Sequence, residues 1–340
     1  MEYFKLNDTF NDFLNESQNE FYVSNLDLAV SFLKKGRKKI NLFKLIGSNV
    51  LNLKLKEKVS GIETLDLVTK FLSNLGEDYL EYFKESFNNG YFDFHNSFDE
   101  DEQNIKNQCN NKNYSVKFTG TINDSTCVIH EFFHSLNSSN SKVAPVFSEV
   151  ISIYMENKFL DFLIENGYSR TDVAKSRILR YIDFWNCHNE LSIESDFLNL
   201  KNHLGYLDEN SYSFINEHSK ELNFYNMKKE DFLMYLNYLN KLMDNKKFNP
   251  DYSFRYFIGT AYSSYLLMQD DSLDKVLALN EYMMQPMEYT DVETAFRILG
   301  IKQKDDTCFI KATNEYYQKE ALIYKNNNSK QLNQENALHI

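Results

Sequence analysis

Two histidines four residues apart, with a glutamate beside the first, stand in the run Cys127-Val128-Ile129-His130-Glu131-Phe132-Phe133-His134-Ser135-Leu136. On an α-helix, residues i and i+4 share a face, so His130 and His134 can aim two imidazoles at one ion. Neutral imidazole suits Zn2+, which takes about four ligands at roughly 2 Å. Such an ion lowers the pKa of a water it holds toward ~7. Glu131 stands beside the pair and is the candidate base for that water's proton. The chemistry this pattern points to is hydrolysis. The alternative is two ordinary helix histidines. The apolar flanks Val128, Ile129 and Phe132 count against it, because a buried imidazole pair needs a compensating partner.

A zinc site of this kind needs a third protein ligand. The next histidine is His188, far along the chain, so a carboxylate is expected. The run from Val146 to Leu160 reads as a helix opened by Pro145, a residue favoured at the first helical position. Along it Val146, Val150, Ile153 and Asn157 share one stripe, and Glu149, Ser152 and Glu156 share another. A carboxylate among apolar neighbours is expected to be paired or to ligate an ion. The other reading, that Glu149 and Glu156 both face solvent, stays open at this point.

These residues need elements to hold them. Apolar positions from Glu63 to Phe87 keep a helical period until Asn88-Asn89-Gly90. Tyr91 to His95 alternates and predicts a short strand; the polar, acidic stretch 96–113 predicts a loop; Tyr114 to Thr119 predicts a second strand ending at Gly120. Asp124 or Ser125 is placed to cap the helix that follows. Helical patterns then recur near 124–137, 146–166, 171–187, 191–204, 209–223, 229–244, 251–269, 272–284, 289–299 and 308–325, before a polar tail over 326–340 that is expected to fray. Leu26 to Leu33 also reads as amphipathic helix. The expected fold is mostly α, a multi-helix domain with a small β element before the HExxH helix.

Composition agrees. Ten glycines and three prolines in 340 residues favour helices over a turn-rich β fold. A net charge of −12 excludes a broad nucleic-acid surface, which needs a basic excess. The one basic run, Lys34 to Lys39, reads as a solvated loop. Cys109, Cys127, Cys187 and Cys308 are widely spaced, with no CxxC pair, so neither a disulfide framework nor a zinc ribbon is expected. Met1 to Asp8 carries no basic or apolar leader pattern, and no window approaches the ~18 apolar residues of a membrane helix. The expectation is a cytoplasmic protein with reduced thiols and no membrane or nucleic-acid partner.

The stretch Phe118-Thr119-Gly120-Thr121-Ile122-Asn123-Asp124 leading into His130-Glu131-Phe132-Phe133-His134 resembles the catalytic signature of oligoendopeptidase F, a relative of thimet oligopeptidase among gluzincin-like zinc metallopeptidases. Phe147-Ser148-Glu149-Val150-Ile151-Ser152, with Met155-Glu156-Asn157, is similar to that family's second helix. The segments Phe87 to Asp93, Pro250 to Ala261 and Pro286 to Ile301 resemble further family segments in the same order. The resemblance implies a zincin-like catalytic region over 80–301, a reduced helical N-terminal region over 1–79, and a C-terminal helix and tail over 302–340. It implies one Zn2+ on His130, His134 and Glu149, with Glu131 as base, Glu156 in a supporting role, and oligopeptide substrates. Tyr252, Tyr256, Tyr262 and Tyr265 lie in the substrate-like segment and are candidate phenol donors to an oxyanion; aromatic packing is their alternative.

The chain departs from the family pattern in four places. Phe133 stands where Gly is usual and Asn137 where His is usual; neither position is a zinc ligand in the family. The connection from His134 to Glu149 is short, and Lys246 or Lys247 occupies the region of a usual histidine. Phe133, Asn137 and the missing histidine favour an alternative, a catalytically impaired peptide-binding homologue that keeps the fold.

Overall fold

A computed structural model describes residues 42–46, 53–96, 108–110, 112–138, 145–204, 211–217, 228–230, 232–234, 237, 250–285, 292–301 and 306–338. The readings at 26–33, at Lys34 to Lys39 and at Lys246 and Lys247, the connection over 139–144, and the parts of the helical patterns 209–223, 229–244 and 289–299 that cover 209–210, 218–223, 231, 235–236, 238–244 and 289–291 lie outside the described residues. Division at 79 and 301 follows motifs; by packing, the chain forms two units of another composition. One gathers Met1–Arg37 with Trp185–Phe257, the other Lys38–Phe184 with Ile258–Ile340.

The larger unit holds α1 (Leu42–Ile46), α2 (Gly61–Leu75), α3 (Glu77–Asn88), β1 (Phe92–Asn96), β2 (Gln108–Asn110), β3 (Asn113–Phe118), α4 (Ile122–Ser138) and α5 (Pro145–Glu165). Chain continues through α6 (Arg170–Leu204), α7 (Ser211–Glu217), α8 (Pro250–Leu267), α9 (Ser272–Met284), α10 (Val292–Leu299) and α11 (Asp306–Leu338). The protein is therefore mostly α. No helix among the described residues is long and apolar enough to cross a membrane.

The sheet has the order β1-β3-β2. β1 runs parallel to β3, Phe92 opposite Tyr114 through Asn96 opposite Phe118, and β2 pairs antiparallel with β3, Cys109 opposite Tyr114. The central strand buries Tyr114 and Val116. Tyr114 stacks on Phe92 and meets Phe132 of α4 edge-on, and Phe83 of α3 meets Phe132 from another side. The face of α4 opposite its histidines is thus fixed by aromatic packing. α5 is buried all round, with Val150 through Asn157 at 2 % exposure or less. A helix buried on every side over that stretch belongs to the core, and Phe159 holds it edge-on against Phe71 of α2.

Four boundaries differ from the sequence expectation. The helical pattern 63–87 breaks at Gly76, whose φ of 153° and ψ of 154° end α2 and begin α3; that region belongs almost to glycine alone, and apolar periodicity passes over it. β2 lies inside the stretch expected to be loop, because edge pairing with β3 is not a local signal. The spans 171–187 and 191–204 are one helix, α6. α11 continues to Leu338 instead of fraying at 326, with no Gly or Pro in between to stop it.

In the smaller unit, Trp185, His188 and Phe257 form one aromatic cluster, with ring centroids 4.6 Å and 5.4 Å apart.

Candidate metal centre

The turn before α4 is built around Asp124. Its Oδ2 accepts the backbone N–H groups of Thr119, Gly120 and Thr121 at 3.0, 2.7 and 3.1 Å, and its Oδ1 accepts the Thr119 hydroxyl at 2.6 Å. An acid in the first turn of a helix that reaches back to the preceding amides is half of a capping box. Gly120, at φ 73°, supplies the left-handed bend that aims those amides at one carboxylate. Burial pushes the Asp124 pKa up, and the four hydrogen bonds pull against it. Asp124, rather than Ser125, ties the end of β3 to the start of α4. The HExxH residues follow within three turns.

On α4 the rings of His130 and His134 lie 4.5 Å apart and their Nε2 atoms 2.9 Å apart. Glu149, from the second turn of α5, brings Oε2 to 3.6 Å from His130 Nε2 and 3.5 Å from His134 Nε2. A triangle with those three sides has one point about 2 Å from every corner, which is the Zn–N and Zn–O bond length. The donor set therefore fits a single small divalent ion without rearrangement. Among the described residues this trio is the cluster of histidine, cysteine and acid groups that could hold a metal ion.

Each imidazole has a partner for its other nitrogen. His134 Nδ1 lies 2.6 Å from Ser148 Oγ, and His130 Nδ1 lies 2.8 Å from Glu156 Oε1, with the ring N–H not aimed straight at that oxygen. Holding a proton on Nδ1 leaves Nε2 with its lone pair for a metal, the role such outer partners play in metal sites. Glu156 is buried to 2 % and is also held by Arg180, whose Nη2 donates to Oε1 at 3.0 Å. Burial alone would lower the His130 pKa, but Glu156, Glu149 and Glu131 outweigh it and raise it to about 9. Glu131 is buried as well; burial pushes its pKa up, with the two imidazoles pulling it down. The cluster is an electronegative pocket that favours a cation. Cys127, one turn before His130, is kept a neutral thiol, its pKa pushed up to about 12 by burial.

The structure thus brings His130, His134, Glu149, Glu131 and Glu156 together in one unit, and neither Glu149 nor Glu156 faces solvent. The tyrosines divide. Tyr262 is 1 % exposed and meets Phe296 and Phe309 edge-on, and Tyr265 meets Phe309 in the same way. Both rings are packing elements of the larger unit. Tyr252 and Tyr256, in the smaller unit, stack on each other at 5.7 Å, Tyr252 exposed and Tyr256 buried. Phe133 is fully buried against Tyr79 and Phe132, with ring centroids 5.7 and 5.4 Å away, so its bulk is absorbed by the core. Asn137 is buried and donates to the Phe133 carbonyl.

Sequence reasoning missed Ser148 and Arg180 as parts of the site. Ser148 precedes the candidate ligand Glu149 and had a positional signal. Arg180 reaches Glu156 from another helix, and no local pattern marks it.

No protein-family model matches the chain, and no curated protein matches it in sequence. The fold is similar to the crystal structure of a "putative peptidase" from Chlamydophila abortus, with a TM-score of 0.55 and 14% identity over 88% of this chain. The chain spans 55% of that protein's length. At this identity the likeness is one of fold: the chain has a peptidase-like architecture.

Proposed function

We propose that this protein is a zinc-dependent metallopeptidase of the oligoendopeptidase F type, hydrolysing peptide bonds of oligopeptides in the cytoplasm. One observation carries the proposal: His130 Nε2, His134 Nε2 and Glu149 Oε2 surround a point about 2 Å from each, the zinc bonding distance, with Glu131 on the same helix. The fold likeness to a protein described as a peptidase supports the reaction class, and the order of the motifs supports the family.

In this reading His130, His134 and Glu149 hold the ion. Zinc in such a site acidifies a water and polarises the scissile carbonyl. The Glu131 carboxylate accepts a proton from the attacking water and delivers it to the leaving amine nitrogen as the C–N bond breaks and the new C–O bond forms. Raised by burial, its pKa suits an acid that gives the proton back. Protons held on the two Nδ1 atoms, beside Ser148 Oγ and Glu156 Oε1, would leave both Nε2 lone pairs for the metal. Phenols among Tyr252, Tyr256, Tyr262 and Tyr265 are the proposed donors to the substrate oxyanion, although the rings of Tyr262 and Tyr265 pack on Phe309. Phe133 favoured a non-catalytic homologue in the sequence, but its ring is taken up by the core and does not support that alternative.

The test is cleavage of a peptide-length series by the zinc-loaded protein and by Glu131→Gln. The expected result is cleavage of short peptides by the wild type, a loss of about 10²–10⁴-fold in Glu131→Gln, and unchanged zinc content in the variant. Zinc-loaded wild type that cleaves no peptide, or a variant as active as the wild type, would overturn the proposal.

A further inference from the structure

We infer that Gly259 and Ser263 of α8 are positioning residues for Glu149: they let the α8 backbone rest directly on α5 at the carboxylate ligand and so fix that ligand over the two imidazoles. The inference rests on the metal reading above and adds what holds its third ligand in place.

A Cβ on Gly259 would lie 2.7 Å from Glu149 Cβ, 3.3 Å from the Glu149 carbonyl carbon and 3.4 Å from the Val150 amide nitrogen. Carbon atoms in good contact sit about 3.5–4.0 Å apart. Two of the three atoms are backbone and the third is bonded to it, so none can swing aside as a side-chain tip would. Alanine at 259 therefore requires α8 and α5 to part by roughly 1 Å at Glu149. A glycine in a helix interior is less favourable than alanine; the close approach is what the chain gains for it.

A second contact one turn further along fixes the same spot. Ser263 Oγ lies 2.8 Å from the Val150 carbonyl and 2.7 Å from the Gly259 carbonyl, so its hydroxyl joins the residue after Glu149 to the residue that touches Glu149. Both contacts are buried. Glu149 stands early in α5, after a stretch that enters the helix at Pro145, and α8 is the element that meets its backbone. Its Oε2 has little latitude, because about 2 Å from the shared point is needed for a bond. A 1 Å displacement of the Glu149 backbone leaves the imidazole pair intact and takes the third ligand out of range.

The test measures zinc affinity by competition with a chromophoric chelator, the visible spectrum of the Co(II) form, and thermal unfolding of the metal-free protein. Gly259→Ala is expected to weaken zinc binding by about 10–100-fold, the range for loss of a ligand's supporting contact, and to change the Co(II) spectrum, which reports coordination number. Gly61→Ala is the control: a Cβ there meets nothing within 4 Å, and both readouts should match wild type. A merely structural role would lower the unfolding temperature and leave affinity and spectrum unchanged in the folded protein, and that result would overturn the inference. Should Gly259→Ala not fold, Ser263→Ala decides, with a several-fold affinity loss expected and unchanged affinity overturning it. Failure of the wild type itself to bind zinc would sink the metal reading and this inference together; wild-type binding with an unaltered Gly259→Ala sinks this inference alone.

Discussion

Side by side on the same two helices, α5 and α6 carry two buried charge clusters of different kinds. Around Arg177, 2 % exposed, the guanidinium donates to Glu320 at 3.1 Å, to Asp161 at 2.7 Å, and to the Asn157 carbonyl and side chain at 2.9 and 3.3 Å. Arg170 adds a second cation on Glu320, and the two arginines balance the two acids. The neighbouring positions, Glu156 and Arg180, belong to the histidine cluster, where the count does not close. Three buried carboxylates, Glu131, Glu149 and Glu156, face one guanidinium and two imidazoles. With both imidazoles neutral, as ligation requires, two negative charges remain, which one divalent cation cancels. The first cluster satisfies its groups from within the chain and holds helices together; the second points three donor atoms at each other. Incomplete charge balance with convergent geometry separates a binding site from a structural ion network.

The sharpest way to break this contrast is to remove a ligand. His134→Ala should abolish stoichiometric zinc binding, with helical content by circular dichroism unchanged, because the Arg177 network is untouched. The converse variant, Arg177→Met, takes the buried cation away from Glu320 and leaves it only the half-buried Arg170. It should cost about 3–5 kcal/mol in denaturant unfolding while the folded fraction still takes up one zinc per chain. Zinc loss there would merge the two clusters into one functional unit. Arg180→Met sits between these extremes: it frees Glu156 from its cation, and zinc affinity should fall about 10–100-fold, with a smaller stability loss than Arg177→Met.

pH tests the same contrast in the metal-free protein. In the metal-free protein the acids around His130 raise its pKa to about 9, from ~6.5 in an unfolded chain. Protonated His130 therefore stabilises the metal-free fold fully below ~6.5, and that contribution is lost as pH rises through about 9. Thermal unfolding followed from neutral to alkaline pH in chelator should show the decline. With zinc present the decline should vanish, since a ligated Nε2 carries no proton. A slope indifferent to zinc would place the ion elsewhere.

The two clusters also differ in how far the sequence announces them. His130, Glu131 and His134 are legible from spacing alone, because helix geometry puts i and i+4 on one face. Glu149 is legible as an acid among apolar neighbours on a helix, as is Glu156. The mostly α fold, the strands on either side of the acidic stretch and the Asp124 cap follow from local chemistry in the same way. What holds the site is tertiary: Arg180, Ser263 and Gly259 act across helices far apart in sequence. No local pattern marks Arg177, whose partners come from α5 and α11. The tyrosines show the same limit. Tyr262 and Tyr265 match a substrate-like segment, yet Phe296 and Phe309 claim their rings, and only packing separates that use from catalysis.

Zinc X-ray absorption on protein loaded with one equivalent of the metal addresses the central claim most directly. His130, His134 and Glu149 around one ion predict a first shell of nitrogen and oxygen at about 2 Å with the outer-shell scattering of two imidazoles. A sulfur neighbour, which would implicate Cys127, or fewer than two imidazoles would contradict it.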